Sequence, residues 1–440
     1  MSYKTSLIKI ENNINNDAIS SIIITQMGIH GFAKFFKDCF EECNLNDYRG
    51  NKVAVDALFQ IYKYAIAIRN NGKDLVNSKG ESMNHLYAVF NYTLFLMRHG
   101  LMPIYLFDSK APTIKNNTVA DRKQQKIKAR ETCISILDKT SPEYLKHFKR
   151  TYSLKESQII DCYRLLNAMG IPYQQCLAEA DPQCAALSCN EDILGVIGDD
   201  TDILVFGTKL LLRDFSGKNK KAKEISMEKI LNFLQTKTDQ ILNDNSLTHS
   251  LTVNHDVFVD FCILLGTDYT PQIRGYLPDE LFVAFVLSDF NIPKTIEYLI
   301  TDISNKINST DNTYCIPVDF ISKWNDAKTY YTTTQVIHPR FIKKTISQPN
   351  KSEIIKILCH ENNFDIDCVN EMYDELNNMY MAFKGIEQIK DIKFRSFKSY
   401  QLKYQHIKHN TLRENPNKRF KLIVSSKKPK SDIYECSEVL

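Results

Sequence analysis

Seven acidic residues stand at or just beyond predicted strand ends. Asp56 closes KVAVD, Asp108 closes PIYLFD, and Glu179 and Asp181 follow IPYQQCLA; Asp200 and Asp202 follow LGVIGD, and Asp268 follows CILLGT. In an open α/β sheet, the crevice beyond the carboxyl ends of the strands is the usual ligand site. Carboxylates gathered there repel one another unless cations neutralise them. Mg²⁺ suits such a set, being a hard cation that takes oxygen ligands and keeps several waters. Two such ions about 4 Å apart can activate water and stabilise both oxygens of an in-line attack on a phosphodiester. One acid-x-acid pair such as Asp200/Asp202 carries little weight, since about six arise by chance at ordinary composition. A lone strand-ending Asp is more often a helix N-cap or turn residue. What sets these acids apart is that seven recur in the same context.

The elements that must hold these acids alternate short apolar strands with amphipathic helices, the pattern of an α/β body. Strands are expected at 52–56, 103–108, 172–176, 193–197 and 209–213, with helices over 83–99 and 157–169. Residues 109–150 differ: they hold few apolar anchors and carry Lys110, Lys115, Arg122, Lys123, Lys126, Lys128 and Arg130 in close succession. They read as a basic, exposed helical excursion. The chain reads as helical again over 253–308, and its signal fades beyond Ile316.

The 440 residues, 43% hydrophobic and 25% charged, describe a folded body rather than a disordered chain. The longest apolar runs, near 22–24 and 94–97, are far too short to span a membrane, and the polar, Asn-rich start is unlike a signal peptide. Twelve cysteines without a CxxC pair read as reduced thiols of an intracellular, not secreted, protein. The net charge of +4 is uneven: residues 381–440 carry 14 Lys/Arg against 6 Asp/Glu, which leaves the preceding body net acidic. That distribution suits a centre that collects metal ions and a periphery that meets polyanions. Abundant Asn, Ile and Lys point to an A+T-rich coding genome, cellular or that of a large DNA virus.

From Met27 onward, ordered blocks of the chain resemble the flap endonuclease family of structure-specific 5′ nucleases. MGIHGFAKFF (27–36), KVAVDALFQIYKYAIAIR (52–69) and YLFDSKAP (105–112) resemble its N-terminal nuclease region. MGIPYQQCLAEADPQCAAL (169–187), GDDTDILVFG (198–207) and FCILLGTDY (261–269) resemble its internal region. The resemblance implies a PIN-like α/β nuclease core: a central, mostly parallel twisted sheet flanked by helices, a helical arch and a helix–two-turn–helix DNA-binding segment. It implies that Asp56, Asp108, Glu179 and Asp181 bind one Mg²⁺, with Asp200, Asp202 and Asp268 on a second; Mn²⁺ would substitute. Lys115 and Arg122 fall at its catalytic basic positions, with Asp200 also catalytic. Their spacing of seven would put both on one helical face, two turns apart. Tyr62 falls at a base-stacking position, its alternative being a half-buried core tyrosine. Gly28, Arg69, Lys126 and Gly275 are further expected DNA contacts. The partner would be branched DNA with a 5′ flap, met by a monomer in the nucleus of a cell or at a cytoplasmic viral replication site.

The implied organisation is an N-terminal extension (1–26), an N-terminal nuclease region (27–133), an internal region (134–300), a C-terminal helical region (301–395) and a basic tail (396–440). The 70-residue interval from Asp108 to Glu179 suits an arch. Three features depart from the family. The extension precedes Met27, so either Met27 is the true start or the extension is displaced or processed. IRGYLPDEL (273–281) places Leu277, Asp279 and Glu280 where a Gly-rich turn, basic residues and a bound K⁺ belong, which should weaken duplex grip. KNKKAK (218–223) or the tail could compensate. QIKDIKF (388–394) has Asp391 where a sliding-clamp box needs an aliphatic residue, so no clamp box is recognisable. KRFKLIVSSKKPK (418–430) reads as a nuclear signal or a solvated tail. A flap endonuclease is the leading reading. The others are a 5′-to-3′ exonuclease, for which Asp181 in EAD speaks, and a non-catalytic junction scaffold.

Overall fold

The computed structural model describes residues 28–69, 72–109, 112–216, 221–306 and 314–388. The extension with Met27, residues 217–220, and the 389–440 segment with the clamp-box candidate and basic tail lie outside the described residues.

Seven strands form one sheet: β1 (Glu41–Asn44), β2 (Lys52–Asp56), β3 (Met102–Phe107), β4 (Tyr173–Gln175), β5 (Ile193–Ile197), β6 (Leu210–Ser216) and β7 (Lys221–Ser226). Their spatial order is β1-β7-β6-β5-β2-β3-β4, with every pairing parallel except the two that β7 makes. All five strands expected from the sequence are present. β1 and β7 were not expected, because EECN and KAKEIS are short and charged. Residues 221–223, part of the basic run offered above as a compensating patch, are the start of β7. Both lysines lie in the β1–β7–β6 ladder, where Lys221 pairs with Glu42 at 2.7 Å and Lys223 with Asp214 at 3.2 Å.

Alternation along the strands builds a core on each face. Val53, Val55, Tyr105 and Phe107 enter one cluster, while Ala54, Ile104 and Leu106 enter the other. Helices cover both faces, as a largely parallel sheet requires. Those used below are α1 (Ala57–Ile68), α2 (Asn84–Arg98), α3 (Asn116–Ser135), α4 (Pro142–Arg150), α5 (Glu156–Met169), α6 (Ala180–Ser188), α7 (His255–Leu265), α8 (Pro278–Leu287), α9 (Phe320–Thr333) and α10 (Ile366–Gln388). From β2 the chain proceeds outward through β3 to β4, and from β5 in the opposite direction to β6. The crevice between β2 and β5 is therefore a topological switch point, where ligands bind in such sheets.

α3 and α4 form the expected basic excursion. They pack mainly on each other and expose most of their residues. The C-terminal helices are more integral than the fading sequence signal suggested. Arg98 of α2 meets Glu375 of α10 at 2.8 Å, and Arg164 of α5 meets Glu361 at 2.8 Å. Backbone N–H groups of Ser347 and Asn350 donate to the carbonyls of Gly170 (2.8 Å) and Ala168 (2.7 Å) at the end of α5. No helix among the described residues is long and apolar enough to cross a membrane.

Gly170 ends α5 in the left-handed region, with φ 73°, and a Cβ there would lie 2.0 Å from the Ser347 carbonyl oxygen. Gly170→Ala should therefore cost about 2 kcal/mol in urea unfolding, from backbone strain plus displacement of the C-terminal segment. Unchanged stability would show that the segment is not seated there.

Candidate active site

Asp56 is the last residue of β2 and also the N-cap of α1, accepting the Phe59 N–H at 3.1 Å. Asp108 directly follows β3 and accepts the N–H of Ala180 at 2.5 Å. It thus caps, from another strand, the helix α6 whose first turn holds Asp181. Glu179 occupies the N-cap position of α6 but does not cap it; its carboxylate turns to Lys115 Nζ at 2.6 Å. Asp200 follows β5 and accepts the Asp202 N–H at 3.0 Å. Asp268 comes three residues after helix α7, so the run CILL before it is helical. A short, wholly apolar run does not distinguish a buried strand from a buried helix.

The seven acids meet at the switch-point crevice, and their electrostatics show the strain of gathering. Burial pushes the carboxyls of Asp56, Asp181, Asp200 and Asp202 above the usual range, and neighbouring carboxylates add to it. Burial likewise pushes Asp108 up to about 6, with Glu179 contributing. Asp181 Oδ1 and both carboxylate oxygens of Asp202 are buried without a hydrogen-bond partner.

Two cations from the excursion enter the cluster. Lys115, 6% exposed, lies 2.6 Å from Glu179 and 3.4 Å from Asp268. Burial alone would lower its pKa, but Glu179, Asp181, Asp268 and Asp202 outweigh it and hold the ammonium well above its ordinary value. Arg122 Nη2 meets Asp268 at 2.8 Å. The expected single helical face is modified: Lys115 ends a 3₁₀ turn as the N-cap of α3 and Arg122 lies within the helix, yet both converge on Asp268.

The orphaned oxygens and uncompensated negative charge fit a hard divalent cation. Among the described residues, no three His, Cys, Asp or Glu side chains close into a ready-made cage. Mg²⁺ does not need one, because it retains waters that reach more distant carboxylates.

Other expected contacts divide. Gly28 (φ 83°) lies against the cluster: a Cβ there would be 2.4 Å from Thr201 Oγ1 and 3.0 Å from Asp200 Oδ1. Tyr62 is half-buried, its hydroxyl accepting the Leu154 N–H at 3.1 Å, and Lys126 Nζ stands 5.3 Å from its ring centroid. Arg69, expected to meet phosphate, is instead 5% exposed, paired with Asp74 at 2.8 Å and donating to the Phe148 carbonyl at 2.8 Å. It ties α1 to the base of the excursion. Gly275 is approached by its own chain: a Cβ there would lie 2.5 Å from Tyr314 Cδ1, and Arg274 and Cys315 exchange backbone hydrogen bonds. Asp279 and Glu280, expected to oppose duplex phosphate, each have a partner within the chain. Asp279 pairs with Lys237 at 2.7 Å, and Glu280 caps α8 by accepting the Leu277 N–H at 2.7 Å.

Four site-supporting groups escaped sequence reasoning. Lys63 Nζ meets Asp199 at 2.5 Å; burial pushes Asp199 up, but Lys63 and Arg213 bring it below its usual range. Thr201 Oγ1 accepts the Ile29 N–H at 3.1 Å. Tyr269 and Tyr330 each donate to Glu179 Oε2 at 2.8 Å. Lys63, one helix face along from Asp56, and Tyr269, beside Asp268, carried a faint signal. Tyr330 carried none.

A raised carboxyl favours the protonated fold. Its stabilising contribution is complete below the unfolded value near 3.8 and lost as pH rises through about 6 for Asp108. In EDTA, the melting temperature of the wild type should therefore fall relative to Asp108→Asn between about pH 4 and 6, and Mg²⁺ should close the gap. Parallel curves in thermal melts would reject this account of the cluster.

Residues 27–129 match the XPG N-terminal domain and residues 170–268 the XPG I-region. Flap endonuclease 1-B of Xenopus laevis is 32% identical over 346 residues, covering 78% of this chain and 84% of the relative. Flap endonuclease 1 of Homo sapiens is 30% identical over 343 residues, covering 77% and 83%. In fold, the chain is similar to the catalytic core of Rad2 in complex with DNA substrate, with a TM-score of 0.58 and 19% identity over 79% of this chain and all of that one. With both nuclease regions in order and the acids converging on one crevice, the chain belongs to the flap endonuclease family.

Proposed function

We propose that this protein is a structure-specific nuclease that hydrolyses DNA phosphodiester bonds at 5′ flaps with two Mg²⁺ ions. The observation that carries the reading is the convergence of seven carboxylates and two excursion cations, Lys115 and Arg122, on one crevice. Asp56, Asp108, Glu179 and Asp181 would hold one ion, and Asp200, Asp202 and Asp268 the other, partly through waters; Mn²⁺ would serve in place of Mg²⁺. Bound there, the ions would lower the pKa of an attacking water and offset charge on the leaving oxygen.

The chain's own groups supply the rest. Lys115 and Arg122 stand within reach of the same carboxylates, so a scissile phosphate entering the crevice would meet their N–H donors as negative charge builds. Tyr62, with Lys126 above its ring, offers an aromatic face for a base without reading its identity. Gly28, lacking a side chain, lets backbone lie beside Asp200. α3 and α4, basic and exposed, would guide the single strand. The relative solved with a DNA substrate supports this use of the fold. The full set of seven carboxylates is what a hydrolase needs and a scaffold does not.

Cleavage of a 5′-labelled double-flap DNA in Mg²⁺ tests the assignment. Junction cutting should fall about 100-fold or more in Asp200→Asn, and by a similar factor in Lys115→Ala with DNA binding largely kept. Undiminished cutting by Asp200→Asn would remove the two-metal assignment. Binding without cutting by the wild type, begun either at Met1 or at Met27, would favour a scaffold.

A further inference from the structure

Glu179 is held from two sides. Its Oε1 accepts Lys115 Nζ at 2.6 Å, and its Oε2 accepts the hydroxyls of Tyr269 and Tyr330, each at 2.8 Å. Tyr269 neighbours Asp268 in the internal region. Tyr330 arrives from the last turn of α9, beyond both matched regions, the later of which ends at residue 268.

α9 is itself pinned against the core. Trp324 Nε1 and Lys328 Nζ donate to the two carboxylate oxygens of the buried Asp260 on α7, at 2.7 and 2.6 Å. The Tyr330 ring is bracketed by Tyr269, with centroids 4.9 Å apart, and Phe206, at 5.9 Å. Neither the helix nor the ring can turn away without breaking these contacts, so the hydroxyl is presented at a fixed point.

We propose that Tyr330 is a positioning residue which, with Tyr269, locks Glu179 so that only Oε1 faces the carboxylate centre, and that this lock favours Mg²⁺ over Ca²⁺. The inference rests on the metal-centre reading above. Two phenol donors occupy the accepting capacity of Oε2 that a bidentate contact would need. Mg²⁺ demands near-octahedral geometry and binds carboxylates through single oxygens, whereas Ca²⁺ accepts bidentate carboxylates in looser shells. A Glu179 freed to rotate would lose pre-organisation for the smaller ion and gain a bidentate option for the larger.

Tyr330→Phe removes one hydroxyl and keeps the ring packing. The full chain and this variant would be melted across MgCl₂ and CaCl₂ series without DNA, which yields metal-free stability and half-saturation for each ion. Loss of such a hydrogen-bond partner should weaken Mg²⁺ about 10-fold. Ca²⁺ should change by less than about threefold, so the preference between the ions collapses while the metal-free melting temperature holds. Mg²⁺ half-saturation within about twofold of wild type would overturn the proposal. Equal weakening of both ions with a lowered metal-free melting temperature would also overturn it, by showing a structural role only. Asp181→Asn is run alongside as a control for the centre. Wild-type protein unresponsive to either ion, like Asp181→Asn, would overturn the metal reading as well, whereas a responsive wild type with an unchanged Tyr330→Phe overturns only the positioning role.

Discussion

Mutual repulsion among seven carboxylates in one buried crevice is the constraint that shapes the rest of this molecule. Like charges in a poorly solvated site raise one another's pKa and resist collapse. Here the cost, set first by burial and then by neighbouring carboxylates, is visible in raised carboxyls, and burial leaves Asp181 and Asp202 oxygens without partners. The fold meets it with a rigid sheet that brings strand ends to one rim, with backbone N–H groups donated to Asp56, Asp108 and Asp200, and with cations supplied from outside the core. Each of these restrains a carboxylate without consuming its capacity to bind a cation.

The cations come from the excursion, most of whose described residues are exposed although Lys115 itself is buried. α3 has few apolar anchors, and at its start Lys115 and Arg122 pair with the acidic centre while Ile114 packs on the core. The excursion therefore meets the acidic centre itself through ion pairs. The same basic residues that neutralise the crevice are those available to a polyanion, so nucleic acid and the acidic centre compete for one set of donors. Arg69, by contrast, is withdrawn into an internal brace between α1 and the excursion's base, which gives this exposed basic element a defined root.

The C-terminal helices complete the site from behind. α10 and the segment near Ser347 grip α2 and α5, and α9 delivers Tyr330 to Glu179. Their contribution is packing and orientation, which have no local motif. That is why residues beyond Ile316 read as a fading helical pattern although they touch the centre.

The sequence by itself determined the strand ends, the seven acids, the basic excursion and the family, because these depend on residue type, two-residue alternation and local order. The family resemblance in the sequence also placed Gly28, Lys115 and Arg122 near the chemistry. Only tertiary structure decided which groups face one another across long separations. Asp108 caps a helix 72 residues away, Lys63 is neutralised by Asp199, Arg69 is buried, Gly275 is covered by Tyr314, and Tyr330 crosses 151 residues to reach Glu179. It also decided that Asp268 follows a helix and that residues 221–226 form an edge-side strand. A short apolar or charged run has no period that settles its form, and a side chain's partner is set by the packing of elements remote in the chain.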